Sequence, residues 1–219
     1  ERASRSRVGW INAYPALSAK RAPSPTSMGV FSSDKFGSMD EPVNDSKGSG
    51  CLLRAFPIGL SYFRDPAHVL DLAANTAALT HGHKLAWISS GAFALLVSHI
   101  VHEELSIAEA VKKTLKALDN SFRDSLTVVH ELMRSIRSAV SLASSASSDL
   151  DAIHSLGEGR VAEEALAIGL LSALRHENDI AGAMTFAANH GGNSNTTAAI
   201  AGTLVGARIG FNAIPDRFV

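Results

Sequence analysis

Three stretches of this 219-residue chain set glycine beside polar side chains in patterns suited to gripping an anion or a metal ion. In the first, Asn44, Asp45, Ser46, Lys47, Gly48, Ser49 and Gly50 follow one another. Glycines there can leave backbone N–H groups turned into a shared concavity, and Lys47 adds positive charge, a design that suits phosphate. The plain alternative is a solvated surface loop. The second stretch is Thr80, His81, Gly82, His83 and Lys84. A His-x-His pair can ligate zinc, yet no third His or carboxylate lies at an informative spacing. A polar loop with satisfied histidines, or one histidine contacting a ligand, therefore fits better. The third stretch carries His190, Gly191, Gly192, Asn193, Ser194, Asn195, Thr196 and Thr197 and opens a helix. Free N–H donors at a helix start suit a phosphate or a carboxylate-rich metal cluster. Asn193, Ser194 and Asn195 are equally good N-caps, which is the simpler explanation for each alone.

The elements that must position these stretches read as helices. Apolar residues make up 46% of the chain and aromatics only 6%, so the core must rest on Ala, Leu, Ile and Val packed closely. Residues 1–64 hold nine basic and five acidic residues, with Pro15, Pro23, Pro25 and Pro42 among Gly and Ser runs, and read as loop-rich. Short helical pieces around Trp10 and Leu17, or Met28 and Phe31, are weakly signalled there.

From Asp65 onward the pattern is helical. Asp65 is an N-cap with Pro66 at the first helical position, followed by Val69, Leu70, Ala73 and Ala77. Residues 85–101 are apolar enough to approach a membrane span, but their serines and the flanking His102, Glu103 and Glu104 favour a buried core helix. Ser106 and Glu109 form a capping box. Phe122, Leu126, Val129, Met133, Ile136 and Val140 make an a/d stripe, expected to pack in a bundle. Gly157 and Gly159 break the chain before three more helices over 161–174, 180–189 and 196–211. Gly202, Gly206 and Gly210 share one face of the last, where a neighbouring helix or a ligand can come close. No period-two run survives, so the fold class is all-α.

Composition also excludes. Twenty basic against 21 acidic residues give no net field for a polyanion, and Arg2, Arg5 and Arg7 lack interleaved aromatics, so no nucleic-acid partner is expected. The single cysteine, Cys51, rules out an internal disulfide framework. With no apolar leader visible at the start, a cytoplasmic setting and no membrane partner are expected.

Taken together, the motifs are more specific than any alone. Asn44-Asp-Ser-Lys-Gly48, then Thr80-His-Gly-His83, then Gly157-Glu-Gly-Arg-Val-Ala-Glu-Glu-Ala-Leu-Ala167, then the run from Asn189 to Gly202 appear in this order. That order and spacing resemble the ADP-ribosylglycohydrolase family, all-helical enzymes related to nitrogenase-reactivating glycohydrolase. Arg54-Ala-Phe-Pro-Ile-Gly59 is similar to a further family segment, as is Arg21-Ala-Pro23 to one of a bacterial branch. The resemblance implies a compact multi-helix orthogonal bundle, with residues 1–64 packing on a helical body of residues 65–219. It implies a cleft for ADP-ribose or an ADP-ribosylated protein, and hydrolysis of the ADP-ribosyl bond with two magnesium ions. By position, Asn44, Asp45, Ser46, Lys47, Gly48 and Gly50 would face the ribose and diphosphate. His81 would line the cleft, Gly157 and Gly159 would lie near the nucleotide, and His190, Gly191 and Gly192 would border the metal corner. Asn193, Asn195 and Thr196 would be the metal positions.

Two departures stand out. The family pattern places aspartates where Asn193 and Asn195 stand, and magnesium relies on carboxylates to offset its dehydration. The family also carries a Thr-Asp-Asp run, whereas no Asp-Asp pair occurs in this chain. The expectation is an incomplete domain of that family, either a hydrolase completed by ligands in sequence not shown or a catalytically inactive binding or scaffold module. Arg160 replaces an aromatic residue common in the bacterial branch.

Overall fold

The computed structural model describes residue 14 and residues 23–33, 35–61 and 65–218. The helical pieces expected around Trp10 and Leu17, the arginines at 2, 5 and 7, and Arg21 lie outside the described residues. Ten α-helices are described: α1 (Pro25–Ser33), α2 (Phe56–Leu60), α3 (Pro66–Ala78), α4 (Lys84–His102), α5 (Ile107–Asn120), α6 (Leu126–Ala143), α7 (Asp149–Leu156), α8 (Ala162–Arg175), α9 (Ile180–Ala188) and α10 (Ser194–Ile209). Among the described residues no strand forms, and the one isolated bridge pairs Gly48 with Val161. The architecture is all-α.

Helix α4 is the axle. Every residue from Leu85 to Ile100 is buried, and α2, α3, α5, α6, α8 and α10 all pack on it. Of the described helices it alone is long and apolar enough to cross a membrane, and 89% of that apolar window is buried inside the protein. Such a helix needs small residues where neighbours cross. A Cβ on Gly59 of α2 would stand 2.2 Å from the Ala94 carbonyl oxygen, so only glycine lets α2 lie this close.

Local signals set the helix starts. The Asp65 carboxylate accepts from Ala67 N at 2.9 Å ahead of Pro66. Ser106 and Glu109 close a reciprocal capping box at the start of α5. At the other end of the chain, Gly202 and Gly206 face Met184 and Ile180, so the glycine face of α10 receives α9. Gly210 instead ends α10, with φ of 76°.

Helix α6 departs from its expected stripe. Its buried residues are Val129, Leu132, Met133, Ile136 and Ala139, while Leu126 and Val140 are 46% and 38% exposed. Phe122 falls outside the helix, in the left-handed region at φ 51°. A single helix laid on a globular core buries a wide stripe at 3.6 spacing, not the 3.5-residue seam of a coiled coil. Leu132→Ala should therefore cost about 2–5 kcal/mol, while Val140→Ala should change stability by less than about 0.5 kcal/mol, as read by urea denaturation. Equal losses would restore the a/d seam.

Candidate functional site

Four loops meet at one end of α4, and backbone and amide hydrogen bonds tie them. Asn44 is the first clamp. Its Oδ1 accepts from Ser46 N at 3.0 Å and from Gly82 N at 2.9 Å, while its Nδ2 donates to the Thr80 carbonyl at 2.9 Å. His83 N donates to the Ser46 carbonyl at 3.3 Å. Thus the Asn44–Gly50 stretch and the Thr80–Lys84 stretch form one wall. Gly82 is forced here by the close approach, since a Cβ would stand 1.6 Å from the Asn44 carbonyl oxygen.

The same loop reaches the start of α8. Ser49 N donates to the Arg160 carbonyl at 3.0 Å and Ala162 N to the Lys47 carbonyl at 2.9 Å, flanking the Gly48–Val161 bridge. Lys47 Nζ, on a half-exposed side chain, donates to Glu163 Oε1 at 3.3 Å. Glu163 is buried, its Oε2 has no hydrogen-bond partner, and burial pushes its carboxyl above the ordinary value despite Lys47. The 157–159 turn is held by Glu164, whose Oε2 accepts from Glu158 N and Gly159 N, each at 3.1 Å. Gly157 and Gly159 adopt φ of 116° and 70°, which favour glycine.

The fourth loop closes the ring. Asn193 N donates to the Glu158 carbonyl at 2.8 Å, and Asn193 Nδ2 donates to Ser49 Oγ at 2.8 Å across 144 residues of sequence. His190 Nδ1 accepts from Gly192 N at 3.1 Å, so Nε2 carries the proton and faces Thr197 Oγ1 at 3.0 Å. Thr197 in turn donates to the Ala187 carbonyl at 2.7 Å. Of the residues singled out in sequence, Asn44, Ser46, Lys47, Gly48, His81, Gly157, Gly159, His190, Gly192 and Asn193 all join this network or line it. Asp45, Gly50, Gly191 and Asn195 are exposed, and Thr196 is buried at the α10 start.

His81 sits on the floor. It is fully buried, and its Nδ1 lies 2.8 Å from Thr80 Oγ1 and 3.4 Å from Arg54 Nη2. Arg54 can only donate, and it also donates to Thr80 Oγ1, so Nδ1 is an acceptor and Nε2 carries the hydrogen. Burial, with the Arg54 charge added, lowers the His81 pKa to about 4, so the ring is neutral at pH 7. Its Nε2–H has no partner, and a Cβ at Gly48 or Gly50 would stand 3.6 or 3.7 Å from it. The ring thus offers one donor beneath the glycine loop.

Sequence reasoning left Arg54, Glu163 and Glu164 out of the site. Arg54 stood in a quoted segment, and its burial gives its role. The two glutamates occupy the first turn of a helix, where acids are ordinary partners of the dipole, and that placement masks any other use.

The metal positions fail the test of donor chemistry. Among the described residues no group of three or more His, Cys, Asp or Glu is placed to hold a cation. Asn193 and Asn195 offer only neutral amide oxygens, Asn195 is exposed, and no carboxylate belongs to the set. A neutral amide and hydroxyl set does not offset the dehydration of two magnesium ions. The residues present do not fit that cluster.

Comparison with known proteins is consistent with the motif order. A family model described as ADP-ribosylglycohydrolase matches residues 2–219. No curated protein matches the chain.

Proposed function

Because the chain belongs to the ADP-ribosylglycohydrolase family, we propose that the four-loop cleft binds an ADP-ribosyl group. The observation that carries this reading is the convergence of the other three motif loops on the 44–50 loop, through Gly82–Asn44, Ser49–Arg160 and Asn193–Ser49, directly above the unpartnered His81 Nε2–H. A ribose or diphosphate oxygen is an acceptor of the kind that donor lacks. Lys47 supplies the positive charge on the open side of the glycine loop, and Glu163 fixes where that charge sits. Gly48 and Gly50 let the loop lie close over the buried histidine, since a Cβ at either would stand 3.6 or 3.7 Å from its Nε2. Arg54 holds Nδ1 as an acceptor and so keeps Nε2, beneath Gly48 and Gly50, a donor.

Hydrolysis is the reaction named by the family. It requires an activated water and a means of stabilising charge at the anomeric carbon. These residues supply neither a carboxylate cage at positions 193–196 nor a free carboxylate beside His81, so the reading here is binding without turnover by this chain on its own. An ADP-ribosylated protein is the natural macromolecular ligand of such a cleft.

ADP-ribose at a hundredfold excess over its Kd should stabilise the fold by about 2.7 kcal/mol, a rise in melting temperature of about 5–10 °C. Release of ADP-ribose from a modified peptide at saturating magnesium should stay at background. The absence of any thermal shift would remove the binding reading, and magnesium-dependent release would remove the claim of no turnover.

A further inference from the structure

We propose that this cleft grips its ligand without a divalent cation, because the Asn193–Ser49 hydrogen bond makes the cross-link that would otherwise need a bridging ion. The inference rests on the ADP-ribosyl-binding reading above. Two elements must be held together at this corner: the start of α10, which carries Asn193, and the 3-10 helix Ser49–Arg54, which carries the glycine loop into Arg54. An ion joins such elements by drawing oxygens from both. Here the join is direct, from Asn193 Nδ2 to Ser49 Oγ at 2.8 Å, and Ser49 is 1% exposed.

The amide makes this join without adding charge. A carboxylate at 193 could accept from the Ser49 hydroxyl, but it would place a negative charge at the corner, whereas the amide does not. Asn44 does the same work on the opposite wall, accepting two backbone N–H groups and donating to the Thr80 carbonyl. Both walls are therefore held by amides of zero charge. Among the described residues the buried carboxylate here is Glu163, which is already paired with Lys47 and belongs to the α8 start rather than to the 193–196 corner.

Charge arithmetic points the same way. With no cation present, anionic ligand oxygens need a corner free of negative charge, and neutral Asn193 and Asn195 meet that need. Asn193 is a positioning residue: it acts through Ser49 and the loop that follows it.

The test is isothermal titration of the full chain with ADP-ribose, in EDTA and in millimolar magnesium. The Kd should agree between the two buffers within about twofold. Asn193→Asp, which can still accept from the Ser49 hydroxyl but adds a negative charge to the corner, should weaken binding about tenfold in EDTA, and magnesium should recover part of that loss. Asn193→Ala should weaken binding equally in both buffers, and combining it with Ser49→Ala should add nothing further. Gain of magnesium sensitivity only in the aspartate variant separates a positioning role from general destabilisation, with each variant's melting curve recorded as a folding control. A Kd for the unaltered chain that tightens tenfold or more with magnesium overturns this inference and leaves the binding reading intact. No heat of binding in either buffer overturns both.

Discussion

One methyl group added at residue 82 should lower the melting temperature by about 6–12 °C, corresponding to about 3 kcal/mol of overpacking in a chain of this size. The Cβ of Gly82→Ala would stand 1.6 Å from the Asn44 carbonyl oxygen, 2.7 Å from the Asn44 carbonyl carbon and 3.0 Å from Pro42 Cβ. Two of these are backbone atoms, so no side-chain rotation relieves the clash. Gly82 has no positive φ, and alanine can adopt its backbone conformation. The penalty is therefore purely one of space between two loops. Parting them lengthens Gly82 N to Asn44 Oδ1, Asn44 Nδ2 to the Thr80 carbonyl and His83 N to the Ser46 carbonyl, which together form the wall above His81. The thermal shift with ADP-ribose should vanish along with the wall. Gly191→Ala is the control, because a Cβ there meets nothing within 4 Å and its φ is not positive. Equal melting temperatures for the two variants would mean that the loops part freely and that the Asn44 clamp does not define the cleft.

What the sequence made legible was local. Asp65 before Pro66, Ser106 with Glu109, and the apolar run after Lys84 each signal within two to nineteen residues, and each sets a helix boundary as read. The α6 stripe misled because spacing cannot report what lies opposite. Leu126 is the first residue of its helix and Val140 sits near its end, and both remain exposed while Leu132 and Ala139 take the core positions. The site divides in the same way. Glycine-rich loops announce themselves in sequence, but the clamps joining them do not. Asn44 reaches 38 residues to Gly82, and Asn193 reaches 144 residues back to Ser49. Read alone, Asn193 is a helix cap; in the structure it is the N-cap residue of α10 but makes no side-chain capping bond, and its side chain instead donates from Nδ2 to Ser49. A metal corner and a hydrogen-bonded corner place polar residues at the same positions, and only the fold distinguishes which oxygens and nitrogens face each other.

Acid should expose the other large effect. His81 is held neutral, with a pKa of about 4 against an ordinary 6.5, chiefly because burial disfavours its charged form. Burial also lowers the pKa values of His99 and His190. Between pH 6.5 and about 4 the unfolded chain binds protons that the folded chain refuses, so stability rises with pH across this window and is lost as pH falls through it. The His81 contribution alone is about 2 kcal/mol after discounting for solvent screening, or about 4–8 °C in melting temperature. Glu163 works in the opposite direction. Its carboxyl is raised by burial, so the folded chain holds that proton more firmly and gains stability as pH falls toward 4.5. The net profile is therefore shallower than the histidines alone would give, and the variant comparison isolates the part owed to His81. His81→Gln cannot titrate, yet it keeps an amide oxygen to accept from Arg54 and an N–H to offer the cleft. Its melting temperature should fall less steeply than that of the unaltered chain between pH 6.5 and 4. Parallel curves would show that His81 gains its proton as readily when folded as when unfolded, and the donor beneath Gly48 and Gly50 would then be a cation at mildly acid pH.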